Sequence, residues 1–301
     1  MRRPPSLALT FILATVTLDA IGIGLIFPVM PDLMKEVTGG NLAQSAVWGG
    51  VLATSFAIMQ FLFGPVMGSL SDRYGRRPIL LISLGAMGID YLAMAMAPTI
   101  LLLLIARIIS GIASATYATA TAYIADITPP EDRARRFGLI GAGFGVGFVA
   151  GPLIGGLLAG IDIRAPFYAA AAMALVNLVF GLFVLPETLT KRTRRRFTVA
   201  RANPLGALRA VVALPGLRRP LAVFLLLCLA MNVYPAIWAF YGHARFQWNT
   251  EMIGISLAIY GISYALGQAL LVGPLIKYFG EHRAAFWGMM VDIISLVALG
   301  L

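Results

Sequence analysis

Apolar stretches of about twenty residues follow one another along the whole chain, separated by shorter polar ones, and each is long enough to cross roughly 30 Å of hydrocarbon as a helix. The pattern predicts nine spans: Leu7–Met30, Val47–Met67, Pro78–Ala97, Thr99–Ile124, Phe137–Ile161, Pro166–Leu185, Leu221–Tyr241, Met252–Ile276 and Ala284–Leu301. A water-soluble core has no room for so many such segments, so the expected class is an all-α polytopic membrane protein. The first run carries Asp19, exceeds the about 7–15 apolar residues of a secretory signal and is followed by further spans. It reads as the first transmembrane helix.

The sixth connection, Pro186 to Pro220, is the longest and most polar. It divides the chain into a six-helix N-terminal bundle (1–190), a basic linker (191–217) and a three-helix partial second bundle (218–301). Lysine and arginine crowd the N-terminus and the even-numbered connections, whereas the odd-numbered ones hold only Lys35, Arg164 and Arg245. This alternation is the positive-inside pattern, which places the N-terminus, the linker and the even connections in the cytoplasm.

Composition agrees, with 59% hydrophobic and 12% charged residues, and it gives the net charge of +10 a membrane meaning. The run KRTRRR, Lys191 to Arg196, reads as topogenic and suited to anionic headgroups. Nucleic-acid binding finds no aromatic or groove-reading pattern beside it. The lone Cys228 excludes an internal disulfide and a multi-cysteine metal site.

Two stretches echo each other. GSLSDRYGRR, from Gly68, and GPLIKYFGEHR, from Gly273, each follow the second helix of their part, and Gly68/Gly75 match Gly273/Gly280 in spacing. Internal repeats of this kind are common in secondary transporters. If the second part repeats the first, three further helices belong after Leu301, and the chain is expected to be a fragment; a nine-helix protein is the other reading.

Four ionisable residues fall inside predicted spans: Asp19, Asp90, Arg107 and Asp292. Each costs about 2.5–3.5 kcal/mol at a helix centre, which makes each a functional candidate. Asp90 and Arg107 lie at matching depth on helices joined by a tight turn at Pro98, so they are expected to pair, structurally or functionally. Asp19 and Asp292 have no basic residue at matching depth in their own spans. A carboxyl in that position, neutral in one state and charged in another, is what a proton carrier requires.

In the fifth span, Gly143, Gly147, Gly151 and Gly155 recur every four residues, baring one helix face for close approach, and Pro152 weakens the helix between them. No Walker A loop, H-E-x-x-H or G-x-S-x-G is present, and GVGFVA from Gly145 lies in mid-span where no dinucleotide turn forms. His243 and His282 sit at helix ends, as interfacial residues rather than ligands.

GSLSDRYGRRPIL resembles the signature between the second and third helices of the major facilitator superfamily, at Gly68, Leu70, Asp72, Gly75, Arg76 and Arg77. The fifth span resembles the antiporter motif of drug/proton exchangers at Gly138, Gly147, Gly151, Pro152, Gly155 and Gly156, and Arg107 with Gly111 resembles a fourth-helix motif of proton-coupled members. More narrowly, LDAIGIGLIFPVMP, AYIADITPPEDRARRFGL and MIGISLAIYGISYALGQA are similar to the tetracycline-efflux group.

That resemblance implies an inner-membrane carrier that exports a small-molecule drug, as a divalent-metal chelate, in exchange for protons. It implies no bound cofactor: the proton gradient drives transport and Mg2+ travels with the substrate. Proton coupling then falls to Asp19, Asp90, Arg107 and Asp292, and the drug pathway to Gln60 and Gln268. Members of the group carry a histidine four residues before the latter glutamine, where this chain has Tyr264, so another amphipathic substrate stays open. Tyr117, Phe144, Met231, Trp238 and Tyr260 are candidates for lining a pocket, with ordinary packing as the alternative.

The resemblance also implies a gating loop, Gly68 to Arg77 with Arg73, in which Asp72 latches onto a helix of the other half and Arg76 or Arg77 reaches Asp126. A metabolite or sugar symporter is the nearest alternative, and the antiporter motif disagrees with it. A membrane enzyme would need a catalytic constellation, and the sequence shows none; oligomeric state is open.

Overall fold

The structure, a computed structural model, describes residues 5–190, 194–214 and 216–300. Lys191, Arg192 and Thr193 of the predicted linker lie outside them. The described elements are helical: α1 Pro5–Thr38, α2 Leu42–Tyr74, α3 Arg76–Met96, α4 Ile100–Ala113 and α5 Thr116–Ile127. After a short 3-10 turn follow α6 Arg133–Ala159, α7 Ala165–Val184, α8 Val199–Ala202, α9 Pro204–Val212 and α10 Arg218–Phe246, then α11 Thr250–Leu270, α12 Val272–Phe279 and α13 Glu281–Gly300. Seven of the described helical segments are long and apolar enough to cross a membrane, and eight if the bent pair α11–α12 counts as one. The ninth expected span coincides with α13, which falls outside that set.

Side-chain caps set several of the ends. The Asn41 side chain accepts the Gln44 amide (2.9 Å) and starts α2; Thr99 accepts that of Leu102 (3.4 Å) and starts α4. Two expected spans are broken. The fourth parts at Ser114–Ala115 without a proline: Ser83 Oγ takes over the freed Ala113 carbonyl (2.7 Å), and Gln60 Nε2 donates to the Ser114 hydroxyl beside it (2.9 Å). The eighth bends by 42° at Leu271, where Pro274 has no amide to offer the Leu270 carbonyl.

The chain forms two units, Met1–Ala258 and Ile259–Leu301. In the first, α1 is the central helix. Leu25, Val29 and Leu33 bury against Met87 and Met94 of α3, Leu103 of α4 and Phe167 of α7. Nearer its start, Phe11, Ile12 and Val16 meet Leu80, Leu84 and Tyr123. Outward positions such as Ile89, Val176 and Phe183 stay apolar and exposed, the surface that lipid would cover. The second unit consists of the end of α11, then α12 packed against α13.

Candidate functional site

The turn Ala97–Thr99 folds α4 back along α3 and sets Arg107 beside Asp90, as their matched depth predicts. Arg107 Nη2 donates to Asp90 Oδ2 and lies 2.9 Å from Met94 Sδ, with the guanidinium 5.3 Å from the centre of the Phe56 ring. Asp90 is 2% exposed and Arg107 8%, so the pair is withdrawn from solvent. Its satisfaction is incomplete, for Asp90 Oδ1 and Arg107 Nε have no hydrogen-bond partner. Removing either partner strands a buried charge, whereas a proton arriving on the carboxylate releases the arginine. Asp19, half-buried on α1, makes no ion pair among the described residues. Asp292, partly exposed on α13, belongs to the second unit with Tyr264 and Gln268, and Tyr264 stacks on Tyr260 with ring centres 6.4 Å apart.

The expected gating loop is hardly a loop. Gly68–Tyr74 forms the last turns of α2 and Arg76 opens α3, so Gly75 alone joins them, at φ 119°. Only glycine adopts that angle without strain, and a Cβ there would run into the Glu187 carboxylate. Arg76 holds two acids, Asp72 at 2.7 Å and Asp126 at 3.1 Å. Of the two arginines expected to reach Asp126, Arg76 does so; Arg77 Nη2 instead donates to the Leu182 carbonyl at 2.7 Å. Arg73 lies exposed with its guanidinium 5.0 Å from the Tyr74 ring centre. Glu187, which sequence reasoning did not select, binds the whole link together by accepting the amides of Arg76 and Arg77.

Five of the six antiporter-motif residues meet another helix. A Cβ at Gly147 would lie 2.8 Å from that of Ala20, one at Gly151 would lie 2.7 Å from the Gly24 Cα, and one at Gly155 would lie 2.9 Å from the Leu25 Cα. Pro152 Cδ faces Gly24 in the same seam between α1 and α6. Gly156 faces the other way, toward Gly254 of α11. Gly138 has open space around it, and the packing gives no reason for glycine there.

A second cluster escaped the sequence reading. Thr250 Oγ1, at the start of α11, donates to Asp32 Oδ2 of α1, and His243 Nε2 of α10 stands 3.8 Å from Asp32 Oδ1. Beside it Phe240 of α10 fills the notch at Gly49 of α2. With Gly156 against Gly254, these neighbours tie α1, α2 and α6 to α10 and the start of α11 at one end. The candidate pocket residues of the first unit fall into two aromatic groups. Tyr117 and Phe144 meet edge-on at 5.7 Å, while Trp238 joins Tyr241 and Trp248, its Nε1 donating to Ser256 Oγ at 2.8 Å; the side chain of Met231 lies outside those described.

Membrane-crossing helices around a buried ion pair, with close glycine seams between them, fit a membrane carrier. The chain belongs to the Major Facilitator Superfamily, which it matches over residues 12–301. It is 47% identical to the tetracycline resistance protein, class C, of Escherichia coli over 97% of this chain and 73% of that protein. To the class G protein of Vibrio anguillarum it is 43% identical over 95% of this chain and 72% of that one. Among solved structures, the human organic anion transporter MFSD10 (TETRAN) superposes with a TM-score of 0.71 at 25% identity, over 89% of this chain and 72% of that one.

Proposed function

We propose that the protein exports tetracycline, carried as its magnesium chelate, from the bacterial cytoplasm in exchange for protons, through the inner membrane and with its N-terminus inside. The likeness to two tetracycline resistance proteins over nearly the whole chain carries this reading. The buried Asp90–Arg107 pair supports the proton half, because a protonation that frees a buried arginine has a large structural consequence. Asp19 and Asp292 are the two further carboxyls, and Gln60 and Gln268 serve the drug. With the N-terminus inside, the packing of Asp32, Gly49 and Gly156 against α10 and α11 closes the outer end, and the Gly75 link lies inside. Protons then enter from outside as drug is released there.

The test is uptake of tetracycline into everted vesicles holding the full-length protein, with an imposed acid interior. Uptake that requires magnesium and the pH gradient, and that Asp292→Asn abolishes with the protein still inserted, is expected. Uptake indifferent to the gradient would rule out proton exchange; none at all from inserted wild type would rule out tetracycline.

A further inference from the structure

Tyr91 follows Asp90 on α3 and is 2% exposed, yet its hydroxyl has no hydrogen-bond partner. Burying a hydroxyl unpaired is unfavourable, and phenylalanine would fill the same space without that penalty. The ring packs into the core formed by α1, α3, α4 and α7, and the hydroxyl points at α1. There it rests against Gly22, where a Cβ would stand 2.7 Å from its oxygen. Gly22 is one helical turn from Asp19 on the same helix. The ionisable groups that bear on the hydroxyl are Asp19 on α1, Asp90 on its own helix and Arg107 on α4. A free donor is therefore held in a notch between the one unpaired carboxyl of α1 and the buried ion pair.

We infer that Tyr91 is a positioning residue of the proton path, whose hydroxyl donates a hydrogen bond to the Asp19 carboxylate once that group has lost its proton. In the state described, the donor waits unpaired. When the proton leaves Asp19, the new charge gains a partner as α1 moves against α3 at Gly22. No bond of the tyrosine breaks and it stays neutral throughout; the proton itself leaves Asp19 for water. The inference rests on the antiport reading above.

The test compares two activities of the full-length protein in everted vesicles: proton release driven by magnesium–tetracycline, and exchange of labelled for unlabelled drug, which moves no net proton. Tyr91→Phe is expected to slow proton release by about tenfold or more, the value of a hydrogen bond to a charge, and to leave drug exchange within about twofold of wild type. Gly22→Ala, which removes no polar atom, is expected to reproduce the loss by displacing the hydroxyl. The double variant is expected to be no slower than Tyr91→Phe alone, since both act through one contact. Proton release by Tyr91→Phe equal to wild type overturns the inference and leaves antiport standing, as does an equal loss of both activities. Silence of the wild type in proton release, with drug exchange intact, overturns antiport and the inference with it.

Discussion

The Glu187 carboxylate closes on the start of α3, 111 residues back along the chain, with Oε1 3.0 Å from the Arg76 amide and Oε2 3.3 Å from that of Arg77. Oε1 also accepts the amides of Thr188 (2.9 Å) and Leu189 (3.0 Å). One acid thus satisfies two orphan donors of a helix start, lies at the positive end of its dipole and anchors the chain as it leaves α7. Glu187→Ala is expected to destabilise the protein by about 1–3 kcal/mol, read as a lower melting temperature in detergent, and Glu187→Gln by less. Equal melting of all three proteins would contradict this role.

The adjacent arginines differ in what they hold. Arg76 is paired with Asp72 and Asp126, and Arg77 with a carbonyl. A double-mutant cycle of Arg76→Ala with Asp126→Ala is expected to yield a coupling of about 0.5–1 kcal/mol, and one of Arg77→Ala with Asp126→Ala close to none. Denaturation in detergent measures both, and the reverse order would show that the pairing is wrong.

In α6, close packing rather than glycine content decides tolerance. Gly151→Ala forces a Cβ into Gly24 and is expected to cost about 1–3 kcal/mol with loss of transport. Gly138→Ala and Gly145→Ala meet nothing within 4 Å and are expected to melt within about 0.5 kcal/mol of wild type. Melting temperatures of the three variants settle it, and equal sensitivity would sink the seam.

The Asp90–Arg107 pair predicts an asymmetry. Asp90→Asn strands a buried guanidinium and is expected to destabilise by about 3–5 kcal/mol, whereas Asp90→Asn with Arg107→Gln regains most of that stability. Proton-coupled export is expected to be absent from both. A double variant as unstable as the single one would mean that packing, not charge, is at stake.

Much of this was legible in the sequence because the bilayer makes errors expensive. Asp90 and Arg107 stand out as charges in apolar runs, and their depth alone brings them together. Gly147, Gly151 and Gly155 announce a packing face by their spacing, though not that α1 is the helix that fills it. Glu187 was invisible, since an acid just past a span looks the same whether it meets water or four amides. Asp32 and Thr250 are 218 residues apart, beyond any local pattern. The break at Ser114 has no proline to mark it and depends on Ser83 and Gln60, which approach from other helices.

The central claim is that drug moves outward as protons move inward, and one measurement addresses it most directly. Everted vesicles holding the full-length protein are energised to an acid interior and given magnesium–tetracycline while an optical dye follows the interior pH. Drug-dependent loss of interior protons in the wild type, absent from Asp292→Asn at equal insertion, is the predicted result. An interior pH that does not respond to drug while tetracycline still enters the vesicles would contradict it.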